Sequence, residues 1–316
     1  MATFDRISDY PPPTVAASPR THWWSGSRGE ERLAGYLFLL PNLIGFLVFS
    51  LIPILSVFFI ALTDWNLASQ PVFVGFDNFT TLFRDDLFWK TAGNTIYYTV
   101  GAVPAGVAIA FWMALLLNQK LHGIVFFRTL FFLPHVTLTV AVAIVWTWIY
   151  NPNLGVINYG FSLIGINGPD WLQSSVWAMP AIIIMSNWMG IGYAMLVFLA
   201  ALQSVPEEYY EAARLDGATW FQQLRNITLP MLSPTTFFLL ITSFMGAMQA
   251  FDQFYVMTRG GPAYSTTTLV MYTYQNGFEF FRMGYAAANA TMLFLGIIAV
   301  TAIQWRLSKR WVYSYD

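Results

Sequence analysis

Between Arg32 and Asp64 the chain reads LAGYLFLLPNLIGFLVFSLIPILSVFFIALT, without one charged side chain. Crossing hydrocarbon roughly 30 Å thick takes about 20 mostly apolar residues, and this run is long enough. Further uncharged runs lie between Lys90 and Lys120, Arg128 and Asp170, Asp170 and Glu207, Arg225 and Asp252, and Arg282 and Arg306. Fitting one helix to each apolar part predicts six spans, near 36–63, 91–117, 129–150, 177–202, 234–257 and 284–305. The run between Arg259 and Glu279 is also uncharged. Being rich in Gly, Ser, Thr and Asn, it reads as a loop outside the bilayer with one short helix. Composition agrees: 57% of residues are hydrophobic and 10% charged, against about a quarter charged in a soluble domain. The fold class is an all-α membrane protein.

Prolines 41, 53, 104, 134 and 180 fall inside these spans, where each removes a backbone donor, and are read as ordinary kinks in a helix bundle. Six spans put both termini on one side. Arg6, Arg20, Arg28, Arg32, Lys120, Arg128, Arg214, Arg225, Arg306, Lys309 and Arg310 fall on that side; Arg84, Lys90, Arg259 and Arg282 face the other. Eleven against four predicts cytoplasmic termini, because basic residues accumulate inside. Residues 1–32, with PPP at Pro11–Pro13, read as a disordered cytoplasmic tail, and 33–316 as one transmembrane domain. The first span lacks a small-residue cleavage pattern and is expected to be retained in a multi-pass protein of the cell membrane.

Catalytic parts are missing. HExxH, GxSxG and P-loop patterns do not occur, and the absence of Cys removes thiol chemistry. His135 reads as a packed histidine at a helix bend. A net charge of −1 gives no field for nucleic acid. No metal or cofactor is expected in this chain. With no Asp, Glu, Lys or Arg central in a span, self-powered transport is disfavoured, and a stand-alone channel or carrier and a membrane enzyme rank below a driven permease.

The longest connection on the basic side, 203–233, carries most of the information. Ser204 and Glu207 have capping-box spacing, Pro206 suits a first turn, and Glu207 and Glu208 suit the positive end of a helix. Glu211 and Arg214 form an i,i+3 pair, and Gly217 suits a left-handed stop after Asp216. The spacing predicts a helix over about 205–216, then a short amphipathic stretch from Trp220 to Ile227, then a turn into the membrane at Leu229-Pro230.

Glu211-Ala212-Ala213, Gly217, Ile227 and Leu229-Pro230 reproduce the gapped EAA pattern of permease subunits of binding-protein-dependent ABC importers, with both spacings intact. The chain resembles the sugar-importer permeases of the maltose, lactose and glycerol-3-phosphate type along its length, through DWNL at 64–67, VGFDNF at 74–79, FFLP at 131–134 and RGGP at 259–262. The resemblance implies a type I importer fold and a coupling helix seated on an ATPase subunit. It also implies a second, different permease as partner, two ATPase subunits or a homodimer that bind ATP and Mg, and an extracytoplasmic solute-binding protein. The extra N-terminal spans and large insertion of the maltose permease are absent. In that branch, solute contacts come from the spans on either side of the coupling loop. The stretch from Trp188 to Tyr193 and the pair Ser243-Phe244 match, whereas Gly246 and Ala247 replace an aromatic and an amide.

From the residues themselves, Ser186, Asn187, Tyr193, Ser243 and Gln249 offer neutral hydrogen-bonding groups, and Tyr193 an aromatic face, for a sugar path. Gly190 lies on the same stretch, although Gly190 and Gly192 equally suit close helix packing. Without Arg or Lys inside a span, a neutral mono- or oligosaccharide is expected ahead of glycerol-3-phosphate or a polyol.

Overall fold

The computed structural model describes residues 27–119 and 122–313, so most of the expected disordered tail and Lys120 lie outside the described residues. The chain falls into two units, 1–55 and 56–316. In the first, α1 (Ser27–Phe46) already begins inside the stretch read as tail and runs through Pro41. It passes through a π turn at Leu47–Leu51 into α2 (Ile52–Ala61). The wider turn suits Pro53, which has no N–H for a regular helical bond. None of the side chains described between 34 and 55 is buried.

The second unit takes in α2 from Ser56 and goes on to a two-residue hairpin, β1 (Thr63–Asp64) against β2 (Val72–Phe73), antiparallel with Thr63 opposite Phe73. Asn78, on α3 (Asp77–Phe83), donates to the carbonyls of Ala61 and Thr63, both at 2.9 Å. Then comes α4 (Asp86–Leu117), continuous through Pro104 and capped by the Asp85 side chain.

A regular helix over 129–150 is not what forms. The chain makes α5 (Ile124–Phe132), a 3₁₀ turn at Leu133–Val136 and α6 (Thr139–Ile149), with a bend of 101°. Pro134 cannot continue the hydrogen-bond ladder, and Thr137 is extended at ψ 156°. After α7 (Val156–Leu163) the chain enters α8 (Ala178–Ser204), whose Pro180 sits harmlessly in the first turn.

The connection that follows holds α9 (Glu207–Leu215), α10 (Trp220–Gln223), a π turn at Leu224–Thr228 and α11 (Leu229–Met231). A 61° bend leads from this segment into α12 (Ser233–Met248). The expected single helix over 234–257 is interrupted at 249–251 before α13 (Asp252–Met257). The uncharged loop contains α14 (Leu269–Tyr274), and α15 (Met283–Ser308) closes the fold. Among the described residues, four helical stretches are long and apolar enough to cross a membrane, or up to six if each bent pair counts as one.

Of the four buried clusters among the described residues, two lie along α8. Tyr98, Val142, Tyr150, Met185 and Phe254 join α4, α6, α8 and α13. Val107, Ala114, Met195, Phe198 and Leu239 join α4, α8 and α12. Both are seams with α8 on one side, and the candidate site opens beside them.

Candidate functional site: a polar cavity and a projecting segment

A cavity of about 610 Å³ lies between α4, the 133–136 turn, α8 and the break after α12. All six path residues read from the sequence line it: Ser186, Asn187, Gly190 and Tyr193 on α8, Ser243 on α12, and Gln249 at the break. Gly246 and Ala247 line it too, whereas Phe244 packs into the core. The Tyr193 ring stacks on His135 at 5.2 Å and 25°. His135 is therefore at a bend, as expected, but it also faces the cavity.

One glycine makes this arrangement possible. A Cβ at Gly192 would strike the Phe131 carbonyl oxygen and come within 2.8 Å of Phe132 Cα. The bare backbone lets the bent third helix press against α8 and brings His135 over Tyr193. Gly190, two residues earlier, has open space around it, so packing does not require it.

Several lining residues carried no sequence signal. Tyr98 on α4 accepts a 3.0 Å hydrogen bond from the Gln253 side chain. Thr139 opens α6, and Asp252 supplies the one carboxylate in the lining, which contains no Lys or Arg. Asp252 had only marked the end of an uncharged run. Trp188, by contrast, packs edge-on against Trp146 at 5.6 Å, away from the lining.

The second region is the segment 203–233. The predicted Ser204 cap does not form: Ser204 ends α8 and its hydroxyl donates to the Ala201 carbonyl. Pro206 stands at the N-cap without a side-chain bond, and α9 starts at Glu207. Gly217 has φ +78°; its amide donates to the Arg214 carbonyl at 3.1 Å, and that of Ala218 to Ala213 at 2.8 Å. These bonds make a Schellman stop, with Asp216 as the C-cap. Arg214 meets Glu207 at 3.8 Å, not Glu211. Thr219 and Gln222 form a capping box that starts α10, and the Tyr210 hydroxyl meets that of Thr228 at 3.0 Å. Glu211, Ala212 and Leu229 are exposed, while Ala213, Ile227 and Pro230 are half-buried. Leu215 is 89% exposed, and Trp220 and Phe221 are each 62% exposed, an unusual load of bare apolar side chains on a polar segment.

Residues 102–313 match the family described as binding-protein-dependent transport system inner membrane component. The chain belongs to that family. The permease is 37% identical over 294 residues to the probable ABC transporter permease protein YesP of Bacillus subtilis, covering 92% of this chain and 94% of that protein. It is 33% identical over 281 residues to the sulfoquinovosyl glycerol transport system permease protein SmoG of Agrobacterium fabrum, covering 88% and 91%. Against the sn-glycerol-3-phosphate transport system permease protein UgpA of Yersinia enterocolitica it is 34% identical over 281 residues, covering 87% and 94%. Its fold superposes on a chain of a bacterial ABC transporter involved in import of the acidic polysaccharide alginate. There the TM-score is 0.78 at 26% identity, covering 89% of the permease and 96% of that chain. A chain of a bacterial alginate ABC transporter in complex with an alginate pentasaccharide-bound periplasmic protein gives a TM-score of 0.79 at 26% identity.

Proposed function

We propose that this permease forms the path for a neutral mono- or oligosaccharide in an ATP-driven importer, with six spans and both termini cytoplasmic. A second homologous permease completes the core, and an extracytoplasmic binding protein delivers the solute. The segment 203–233 docks on an ATPase, one of two subunits or of a homodimer, which supplies the ATP and Mg chemistry. In that segment Glu207, Glu211, Ala212, Ala213, Asp216 and Gly217 form the helix and its stop, and Ile227, Leu229 and Pro230 carry the turn into α12.

The observation that carries the solute class is the cavity lining. Tyr193, Tyr98 and His135 offer aromatic faces, Ser186, Asn187, Ser243 and Gln249 offer uncharged donors and acceptors, and no Lys or Arg is present. Aromatic faces suit the C–H faces of a pyranose, and neutral polar groups suit its hydroxyls. A phosphate ester would call for a cationic clamp. The name of the Yersinia relative favours glycerol-3-phosphate as the second reading, and the lining does not provide for it. Docking on an ATPase is supported by the exposed Leu215, Trp220 and Phe221 around a helix that Gly217 stops sharply.

The test begins with the cognate binding protein, screened by calorimetry against neutral sugars, uronates and glycerol-3-phosphate. The loaded protein is then added to the reconstituted transporter. Neutral sugar should stimulate ATP hydrolysis, and Tyr193→Ala should abolish the stimulation. Stimulation by an anionic solute alone would overturn the solute class.

A further inference from the structure

A second cavity, about 480 Å³, lies at the end of α15. Its walls come from two distant parts of the chain. Arg225, Leu229, Pro230, Ser233 and Thr236 belong to the stretch leading into α12, and Lys309, Arg310, Trp311, Val312 and Tyr313 follow α15. The Tyr313 amide donates to the Ser233 hydroxyl at 2.8 Å, and Trp311 packs edge-on against Phe237 at 6.1 Å, so residues 311–313 are held against α12.

Lys309 and Arg310 alone would call for no ligand. Cations are favoured after a helix C-terminus and on the inner flank of a span. Arg225 is the observation that points further. It comes from a different element, yet it lines the same cavity, and no Asp or Glu stands in the lining. Among the described residues the ion pair is Glu207 with Arg214, so none of these three cations has a carboxylate partner.

We propose that this cavity binds the phosphate of an anionic phospholipid headgroup. Three cations without a carboxylate partner in one lining call for an anion. The source is a lipid because α15 is an apolar helix long enough to cross a membrane and ends at Ser308, which sets the cavity at headgroup depth. Trp311 and Tyr313, both exposed, are the residue types that settle at that level. A bound headgroup would brace the Leu229-Pro230 turn against residues 309–313.

The test uses the complete transporter in nanodiscs of phosphatidylcholine with and without phosphatidylglycerol. Native mass spectrometry should show phosphatidylglycerol retained by the wild type. The triple variant Arg225→Gln, Lys309→Gln, Arg310→Gln should weaken retention by roughly 5-fold per removed charge. Arg84→Gln with Arg259→Gln, outside this cavity, should retain lipid as the wild type does. A photoactivatable phosphatidylglycerol in the wild type provides the arm that needs no variant: label within 225–236 or 309–313 supports the site, and label confined elsewhere overturns it. Equal retention by the triple variant also overturns it. So does displacement of the lipid by inorganic phosphate at equal concentration, which would identify a soluble-anion site. A cross-link from Arg225 to an acidic segment of the ATPase in place of lipid would do the same.

Discussion

Tyr285 donates a 2.6 Å hydrogen bond to Oδ2 of Asp85, while Oδ1 of the same carboxylate accepts from the Leu87 amide at 2.9 Å and caps α4. Tyr272 donates to Oδ2 as well, and the Arg282 guanidinium lies 4.4 Å from the centre of the Tyr285 ring. One carboxylate thus ties the starts of α4 and α15 to α14. Burial opposes its charge. The hydrogen bonds from Tyr272, Tyr285 and the Leu87 and Phe88 amides outweigh that and hold the carboxyl below its ordinary 3.8.

A lowered folded pKa means that this stabilisation is present above the unfolded value and is lost as pH falls through the folded one. The thermal midpoint of the purified permease should therefore hold steady from neutral pH to about 5 and drop below about 4. Asp85→Asn should lower the neutral-pH midpoint and flatten the acid limb. Tyr285→Phe removes one charge-assisted bond, a loss of about 1.5–3 kcal/mol. A pH profile of Asp85→Asn that matches the wild type would show that another group controls acid stability.

The contrast between two glycines gives a second expectation. Gly192→Ala drives a methyl into the Phe131 carbonyl and should cost about 1–3 kcal/mol through overpacking, seen as reduced yield and thermal midpoint. Gly190→Ala meets nothing within 4 Å and should leave stability unchanged. Gly190→Leu should then fill the cavity and stop uptake in a subunit that still assembles.

At Gly217 the backbone is left-handed with open space around it, so a substitution is resisted by conformation alone. Gly217→Val should add strain of about 1–3 kcal/mol, and Gly217→Asn far less, because Asn tolerates that region. Substrate-stimulated ATP hydrolysis and pull-down of the ATPase should fall in that order. Glu207→Ala, which breaks the exposed pair with Arg214, should cost only about 0.2–1 kcal/mol of stability. Wild-type coupling in Gly217→Val would remove the segment from the transmission path.

The absence of Cys makes topology directly accessible. Single cysteines at 122 and 217 should be labelled from the cytoplasmic side, and those at 155, 170 and 260 from outside. Labelling of 217 by an impermeant reagent on intact cells would reverse the orientation.

Charge-free runs located the long helices well, because a bilayer leaves a charged side chain no cheap place to sit. They could not locate the breaks at 133–138 and 249–251. Pro134 signals a kink of unknown size, and the 101° bend goes with a close approach of Phe131 and Phe132 to Gly192 that only the fold brings about. Nothing in the local sequence marks Ala250 and Phe251 as an interruption. The cavity-lining residues on α8 and α12 were legible because neutral polar groups stand out in apolar helices. Tyr98 was not, since one more aromatic among many carries no signal until Gln253, 155 positions away, is brought to it. The link from Asp85 to Tyr285 spans 200 positions and is equally invisible to local patterns. Gly217 was readable because a left-handed stop is decided within five residues.

The broken third helix also governs where water goes. α6 starts after Leu138, whose side chain makes no capping bond, so the first amides of the helix have no partner within it, and Thr139 at its start lines the cavity. Hydrocarbon cannot satisfy them. The start of α6 therefore needs water or another polar group beside it while the permease sits in its membrane, and the cavity at Thr139 is where one can reach it. For a solute of the class proposed above, a wet cavity would exchange one set of hydrogen bonds for another rather than strip it bare.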